Sequence, residues 1–170
     1  NSESLIRIIA GQQLSSAAAY TIYLRLKQKF EDSVITPAMI LDSSKEQILI
    51  CGLSNTKARY ITPIAQEFAD QPNLIEELRG MASKEVLATL QKFEGIGIWS
   101  ASIFALFYVH HPDVFVWGDV RLKKAIRLLC RKEDLSEPQM EDIIQPWQPY
   151  RSAACLVLWK WLDEGAIRFS

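Results

Sequence analysis

Three kinds of residue in this chain could do chemistry together. Gly95 and Gly97 stand one residue apart in LQKFEGIGIWSA (residues 90–101), Trp99 follows them closely, and Asp119 opens a basic run, VRLKKAIRLLCRK. Glycine accepts a positive φ and lets another backbone come near. At the start of the helix that opens near Ile98, free N–H groups and the positive end of the dipole would face outward, a setting that suits a phosphate. The same glycines also suit a plain connector between two helices. Asp119 at the head of a helix is a carboxylate whose ionised form the helix amides favour, and it is equally an ordinary N-cap. Trp99 is a flat aromatic face for a base, or core packing. Gly95-Ile96-Gly97 is not a dinucleotide fingerprint, because no strand precedes it and position 100 is Ser100.

The elements that must position these groups read as helices. ESLIRIIAGQQL places Leu5, Ile8 and Ile9 on one face, with Gly11 weakening its end. Ser15 is the expected N-cap of the next helix, and Thr36-Pro37 starts another. AMILDSSKEQILICG reads as two short helices ending at Gly52, and SNTKARYITPIAQEFAD as an amphipathic helix that Pro63 kinks. PNLIEELRG, SKEVLATLQKF, the stretches after Gly97 and Gly118, SEPQMEDIIQ and YRSAACLVLWKWLDEG complete the set. DVFVWG is the one short strand candidate. About ten short helices joined by short connections predict an all-α protein.

Composition bounds the rest. The chain has 170 residues, 49% of them apolar, enough for one compact domain or two small lobes. Cys51, Cys130 and Cys155 form no CxxC or His/Cys cluster, so neither zinc nor an iron–sulfur cluster is indicated, and reduced intracellular thiols fit better than disulfides. The apolar runs are too short for a transmembrane helix. No signal peptide is visible, and the opening Asn1 is what a trimmed product or a fragment would show. A formal charge of −1 does not advertise a nucleic-acid binder, yet Arg121, Lys123, Lys124, Arg127, Arg131 and Lys132 cluster without an acidic residue among them. They serve phosphates or line a solvated helix face. His110 and His111 precede Pro112 without a partner at ligand spacing and read as surface residues.

Four marks in order give the chain a family likeness. The hairpin mark is filled by Leu90, Phe93, Gly95, Ile96, Gly97, Ser100 and Ala101. VFVWGDVRL carries Asp119 about twenty residues on. IIAGQQLSSAAA supplies Ile9, Gln12, Gln13, Leu14, Ser15, Ala18 and Ala19. A late mark runs through Trp147, Pro149, Tyr150, Arg151, Ser152, Ala154, Leu158 and Trp159. Together they cover nearly the whole chain, which resembles the helix-hairpin-helix (HhH-GPD) DNA glycosylase superfamily, and within it the 3-methyladenine DNA glycosylase II type.

The resemblance implies a two-lobed all-α fold with a cleft between the lobes. The first lobe would be residues 1–113, with the hairpin at about 85–108, and the second residues 114–170. Asp119 would be the catalytic carboxylate, and Trp99, Trp117, Trp147 and Tyr150 the base pocket. Gly95, Ile96, Gly97 and Arg121 would hold the DNA backbone. Gln12, Gln13 and Leu14 would form the loop that fills the gap left by a flipped nucleotide. Members that also nick the strand carry a lysine where this chain has Trp99, so a monofunctional enzyme is implied. No organic cofactor is implied, and a Na⁺ or K⁺ on the carbonyls of Gly95 and Gly97 is. The expected partner is double-stranded DNA with damaged bases, bound by a monomer in the cytoplasm of a bacterium or the nucleus of a eukaryote. Longer members add a β-rich N-terminal domain and some an iron–sulfur loop; neither pattern occurs here. The alternatives are a non-catalytic hairpin module, which would not need Asp119 in a cleft, and a glycosylase for adenine, hypoxanthine or uracil.

Overall fold

The computed structural model describes residues 2–31 and 34–165, so the last residues of the expected second lobe, 166–170, lie outside the described residues. Eleven α-helices follow one another: α1 (Ser2–Gly11), α2 (Ser16–Lys29), α3 (Pro37–Leu41), α4 (Lys45–Leu49), α5 (Asn55–Asp70), α6 (Leu74–Gly80), α7 (Ser83–Leu90), α8 (Ile98–Phe104), α9 (Val120–Cys130), α10 (Glu137–Ile144) and α11 (Arg151–Asp163). A π-helical turn, Ala105–Val109, extends α8, and a 3₁₀ turn, Gln145–Trp147, follows α10. Among the described residues there is no strand: DVFVWG instead buries Val114, Phe115 and Val116 as extended chain. No described helix is long and apolar enough to cross a membrane.

The boundaries follow local chemistry. Ser15, Thr36 and Ser54 cap α2, α3 and α5 by accepting an N–H from the third helical residue. Ser44 and Gln47 form a reciprocal capping box at α4. α5 continues through Pro63 and buries Ala58, Ile61, Ile64, Ala65 and Phe68 along one stripe.

Two buried clusters organise the packing. One runs from Leu5 to Val114 and includes Ile9, Leu26, Ile61, Leu90 and Phe104. α5 lies at its centre, against α1 and α3, and α1 also meets α2 and α8. The other runs from Leu106 to Leu158, with α9 packed on α11. The segment between them is fixed by polar contacts. Arg151 grips Asp113 with Nε at 2.7 Å and Nη2 at 2.8 Å, and this holds the Asp113 carboxyl below the usual carboxylate range. Ser152 Oγ donates to the His111 carbonyl at 2.6 Å and accepts from Val114 N at 3.0 Å.

His111 departs from the sequence expectation. It is buried, its Nδ1 accepts from Asp113 N at 3.2 Å, and its Nε2 lies 3.1 Å from the Met81 carbonyl. That pairing puts the proton on Nε2. Both partners are main-chain atoms, which no side-chain spacing reveals. His110 is exposed, as expected. All three cysteines are free, with Cys51 and Cys155 buried. Burial pushes the Cys51 thiol up and the Cys155 thiol up to about 12.

Candidate active site

The hairpin is α7, a turn and α8. Gly95 has φ +85°, the left-handed conformation that favours glycine, and Ile96 N closes the turn on the Phe93 carbonyl at 3.1 Å. A Cβ at Gly95 would lie 2.2 Å from Cδ2 of Tyr60, so α5 presses its ring on the turn. Gly97 differs. It caps α8 with φ −83°, an ordinary value, and a Cβ there would meet nothing within 4 Å. The open side of the turn is therefore at Gly97, while Ile96 is buried beneath it. Beside the turn, Arg59 donates to Glu94 at 2.6 Å.

Asp119 is the N-cap of α9. Its Oδ1 accepts from Arg121 N at 2.8 Å and Leu122 N at 3.1 Å. Among the described residues Oδ2 takes no hydrogen bond, so one carboxylate oxygen is anchored and the other is available. The Arg121 guanidinium pairs with Asp163 on the surface.

Gly118 joins the two parts. A Cβ at Gly118 would lie 2.7 Å from the Trp99 Cβ and 3.3 Å from its Cα. The root of the Trp99 side chain therefore rests on the residue before Asp119, and the residue stays 41% exposed. Trp117, the other neighbour of Gly118, is half-buried and edge-on to Phe115 at 4.9 Å. Trp147 lines an apolar hollow of about 270 Å³ with Leu129, Val157 and Trp161. Tyr150 is exposed. A second hollow, about 570 Å³ and bordered by Ser43, Lys45, Arg59 and Pro63, contains none of the residues expected to do chemistry.

The GQQLS loop divides its residues between two directions. Gln13 has φ +57° and is exposed with Leu14. Gln12 turns inward instead: its Nε2 donates to the Gly95 carbonyl at 2.8 Å and to Ser100 Oγ at 3.1 Å. Gln12 thus ties the loop to the hairpin and is not free to enter a groove. The same bonds bear on the expected cation. The Gly95 carbonyl is taken by Gln12, and the Gly97 carbonyl accepts Ala101 N at 3.0 Å. Each carbonyl oxygen has two lone pairs, so a cation on these two oxygens would share them with both bonds. Among the described residues no acidic, histidine or cysteine cluster could hold a metal.

Three contact residues escape the sequence reading: Gly118, Tyr60 and Lys57. Lys57 had a signal, because it sits four and seven residues before Ile61 and Ile64, on the apolar stripe of α5. A cation on that stripe needs partners inside the protein, and Lys57 Nζ donates to the carbonyls of Ala10 and Gln12, each at 2.8 Å.

An all-α chain whose glycine hairpin packs, through Trp99, on the residue before a helix-capping aspartate has the layout of a helix-hairpin-helix fold. The chain belongs to the HhH-GPD superfamily of base excision DNA repair proteins, whose family model matches residues 6–149. It is similar to DNA-3-methyladenine glycosylase 1 of Schizosaccharomyces pombe, 31% identical over 93% of this chain and 71% of that protein. The alkylbase DNA glycosidase-like protein mag2 of the same yeast is 27% identical over 93% and 76%. Among solved structures, the DNA-3-methyladenine glycosidase of Bacillus halodurans aligns with a TM-score of 0.84 at 31% identity, covering 94% of this chain and 74% of that one. The S. pombe 3-methyladenine DNA glycosylase Mag1, solved in complex with abasic DNA, aligns at 0.75 with 29% identity, over 94% and 79%.

Proposed function

We propose that the chain is a monofunctional DNA glycosylase of base excision repair that hydrolyses the N-glycosidic bond of alkylated purines, of the 3-methyladenine and 7-methylguanine type, flipped from duplex DNA. Residues 1–113 and 114–170 act as its two lobes. The observation that carries this reading is the contact of Trp99 on Gly118, which packs the hairpin helix on the residue next to the aspartate that caps α9. The names and titles of the relatives support the same chemistry.

The roles follow from the geometry. As the C1′–N bond breaks, electrons leave with the base and positive charge builds on the sugar. Asp119, held by two amides on Oδ1, presents its other oxygen to that charge and to the attacking water, whose oxygen bonds to C1′ as its proton passes to that carboxylate oxygen. An alkylated base is cationic or electron-poor. The exposed face of Trp99 attracts it by stacking and cation–π contact. Neither Ile98 nor Trp99 offers an amine for a covalent intermediate.

The test is base release from defined duplexes carrying 3-methyladenine, 7-methylguanine, hypoxanthine or uracil. Alkylated purines should be released, leaving an abasic strand that breaks only after alkali. A borohydride-trapped enzyme–DNA adduct, or release of none of these bases, would sink the reading.

The two glycines give a second test. Gly95→Ala forces a left-handed alanine against Tyr60, and should cost at least about 1–2 kcal/mol of stability and roughly 4 °C or more in Tm. Gly97→Ala, with an ordinary φ and open space, should cost at most about 1 kcal/mol as a poorer N-cap. If backbone amides there hold a phosphate, its added methyl should weaken binding to damaged and undamaged duplex alike and make the salt dependence shallower. Unchanged affinity in folded Gly97→Ala would leave the turn as a connector only.

A further inference from the structure

Helix α5 carries three contacts, from Lys57, Arg59 and Tyr60, toward the loop after α1 and the hairpin. Lys57 Nζ donates to the carbonyls of Ala10 and Gln12, at 2.8 Å each. Arg59 pairs with Glu94 beside the hairpin, and the Tyr60 ring lies on Gly95. Lys57 and Tyr60 are three residues apart and so share a helix face. One face of α5 therefore supports both the loop after α1 and the hairpin turn.

The Lys57 contact is specific. The carbonyls at the end of α1 have no partners within the helix, and an ammonium there meets both unpaired oxygens and the negative end of the dipole. Among the described residues no carboxylate pairs with Lys57, and burial pushes its ammonium below the usual lysine range. The two carbonyls flank Gly11, one on each side of the bend. Beyond them Gln12 bonds the hairpin through Gly95 and Ser100. The next residue, Gln13, is exposed in a left-handed conformation that a non-glycine residue keeps only when its surroundings impose it.

We propose that Lys57 is a positioning residue for base extrusion: through the carbonyls of Ala10 and Gln12 it fixes the 11–14 loop against the hairpin, so that Gln13 and Leu14 stand ready to enter the duplex. This rests on the proposed DNA-glycosylase function. It separates two steps. Unstacking a paired base needs a rigid wedge, whereas cleaving a base that is already unpaired does not.

The experiment compares the wild type with Lys57→Met, which keeps the alkyl stem and removes the donors, and with Lys57→Arg, which restores donors. Single-turnover release of 7-methylguanine is measured from a fully paired duplex and from the same sequence as a single strand. In parallel, 2-aminopurine beside the lesion in the duplex reports unstacking by its fluorescence, independently of cleavage. Lys57→Met should lose about tenfold or more on the paired duplex and stay within about twofold on the single strand. The 2-aminopurine signal should fall with it, and Lys57→Arg should recover most of both. Equal losses on the two substrates, or an undiminished 2-aminopurine signal, would overturn the proposal and reduce Lys57 to a helix cap. Should Lys57→Met not fold, Gln12→Leu cuts the loop from the hairpin and must give the same split between substrates. A wild type that unstacks the duplex yet releases no base would instead contradict the glycosylase reading while Lys57 is still judged by fluorescence.

Discussion

Asp119→Asn is expected to slow base release on the order of a thousandfold, the scale of removing one fixed charge-stabilising group from an active site. The substitution separates the two things Asp119 does. Asparagine is as good an N-cap as aspartate, so its side-chain oxygen keeps the bonds to Arg121 N and Leu122 N and α9 starts where it did. What disappears is the negative charge facing the developing cation. Tm should therefore change little and affinity for abasic-site DNA should be nearly intact. Asp119→Ala would add the loss of the cap, about 1 kcal/mol, to the same catalytic defect. Single-turnover kinetics with a thermal melt reads both. Excision by Asp119→Asn at the wild-type rate would end the catalytic assignment.

The second large effect comes from a residue with no reactive group. Gly118→Ala puts a methyl 2.7 Å from the Trp99 Cβ and 3.3 Å from its Cα. These atoms belong to the root of the side chain and the backbone, so no rotamer change relieves the overlap. Either α8 or the segment carrying Asp119 must move. Overpacking of this kind costs about 1–3 kcal/mol. A displacement near 1 Å at a reacting group costs on the order of a hundredfold in rate. Gly118→Ala should thus lose activity out of proportion to its stability, with kcat falling more than KM rises. A variant with unchanged kcat would mean that the Trp99–Gly118 contact does not set the position of Asp119.

What the sequence disclosed and what it withheld divide along a physical line. The helices were legible because each signals locally: Ser15, Thr36 and Ser54 cap helices that carry their own apolar stripes. DVFVWG, the one short strand candidate, is buried extended chain, which shares a strand's composition, and here Val114 N bonds the Ser152 side chain. Asp119 was marked by the family resemblance, since a carboxylate before a basic helix reads by itself equally as an N-cap. Gly118 was not, since its importance is a contact with Trp99. Tyr60 and His111 were hidden for the same reason, and Lys57 signalled only that it needed partners, not that they are the carbonyls of Ala10 and Gln12. Gln12 shows the limit of a motif: its position was marked, but only the fold reveals that it turns toward Gly95.

The buried cysteines have a consequence for the chemistry the protein would meet at work. A cell that accumulates alkylated DNA contains electrophiles, and the nucleophile they seek in a protein is thiolate. Burial pushes the Cys155 thiol up to about 12, so little of it is thiolate at neutral pH. Cys51 is shifted in the same direction, and both are shielded from solvent. Cys155 packs against the Val114 carbonyl on the helix that grips Asp113, so a methyl group added there would force apart the core next to Asp119. Burial keeps Cys51 and Cys155 away from such reagents and leaves half-buried Cys130 as the more accessible thiol.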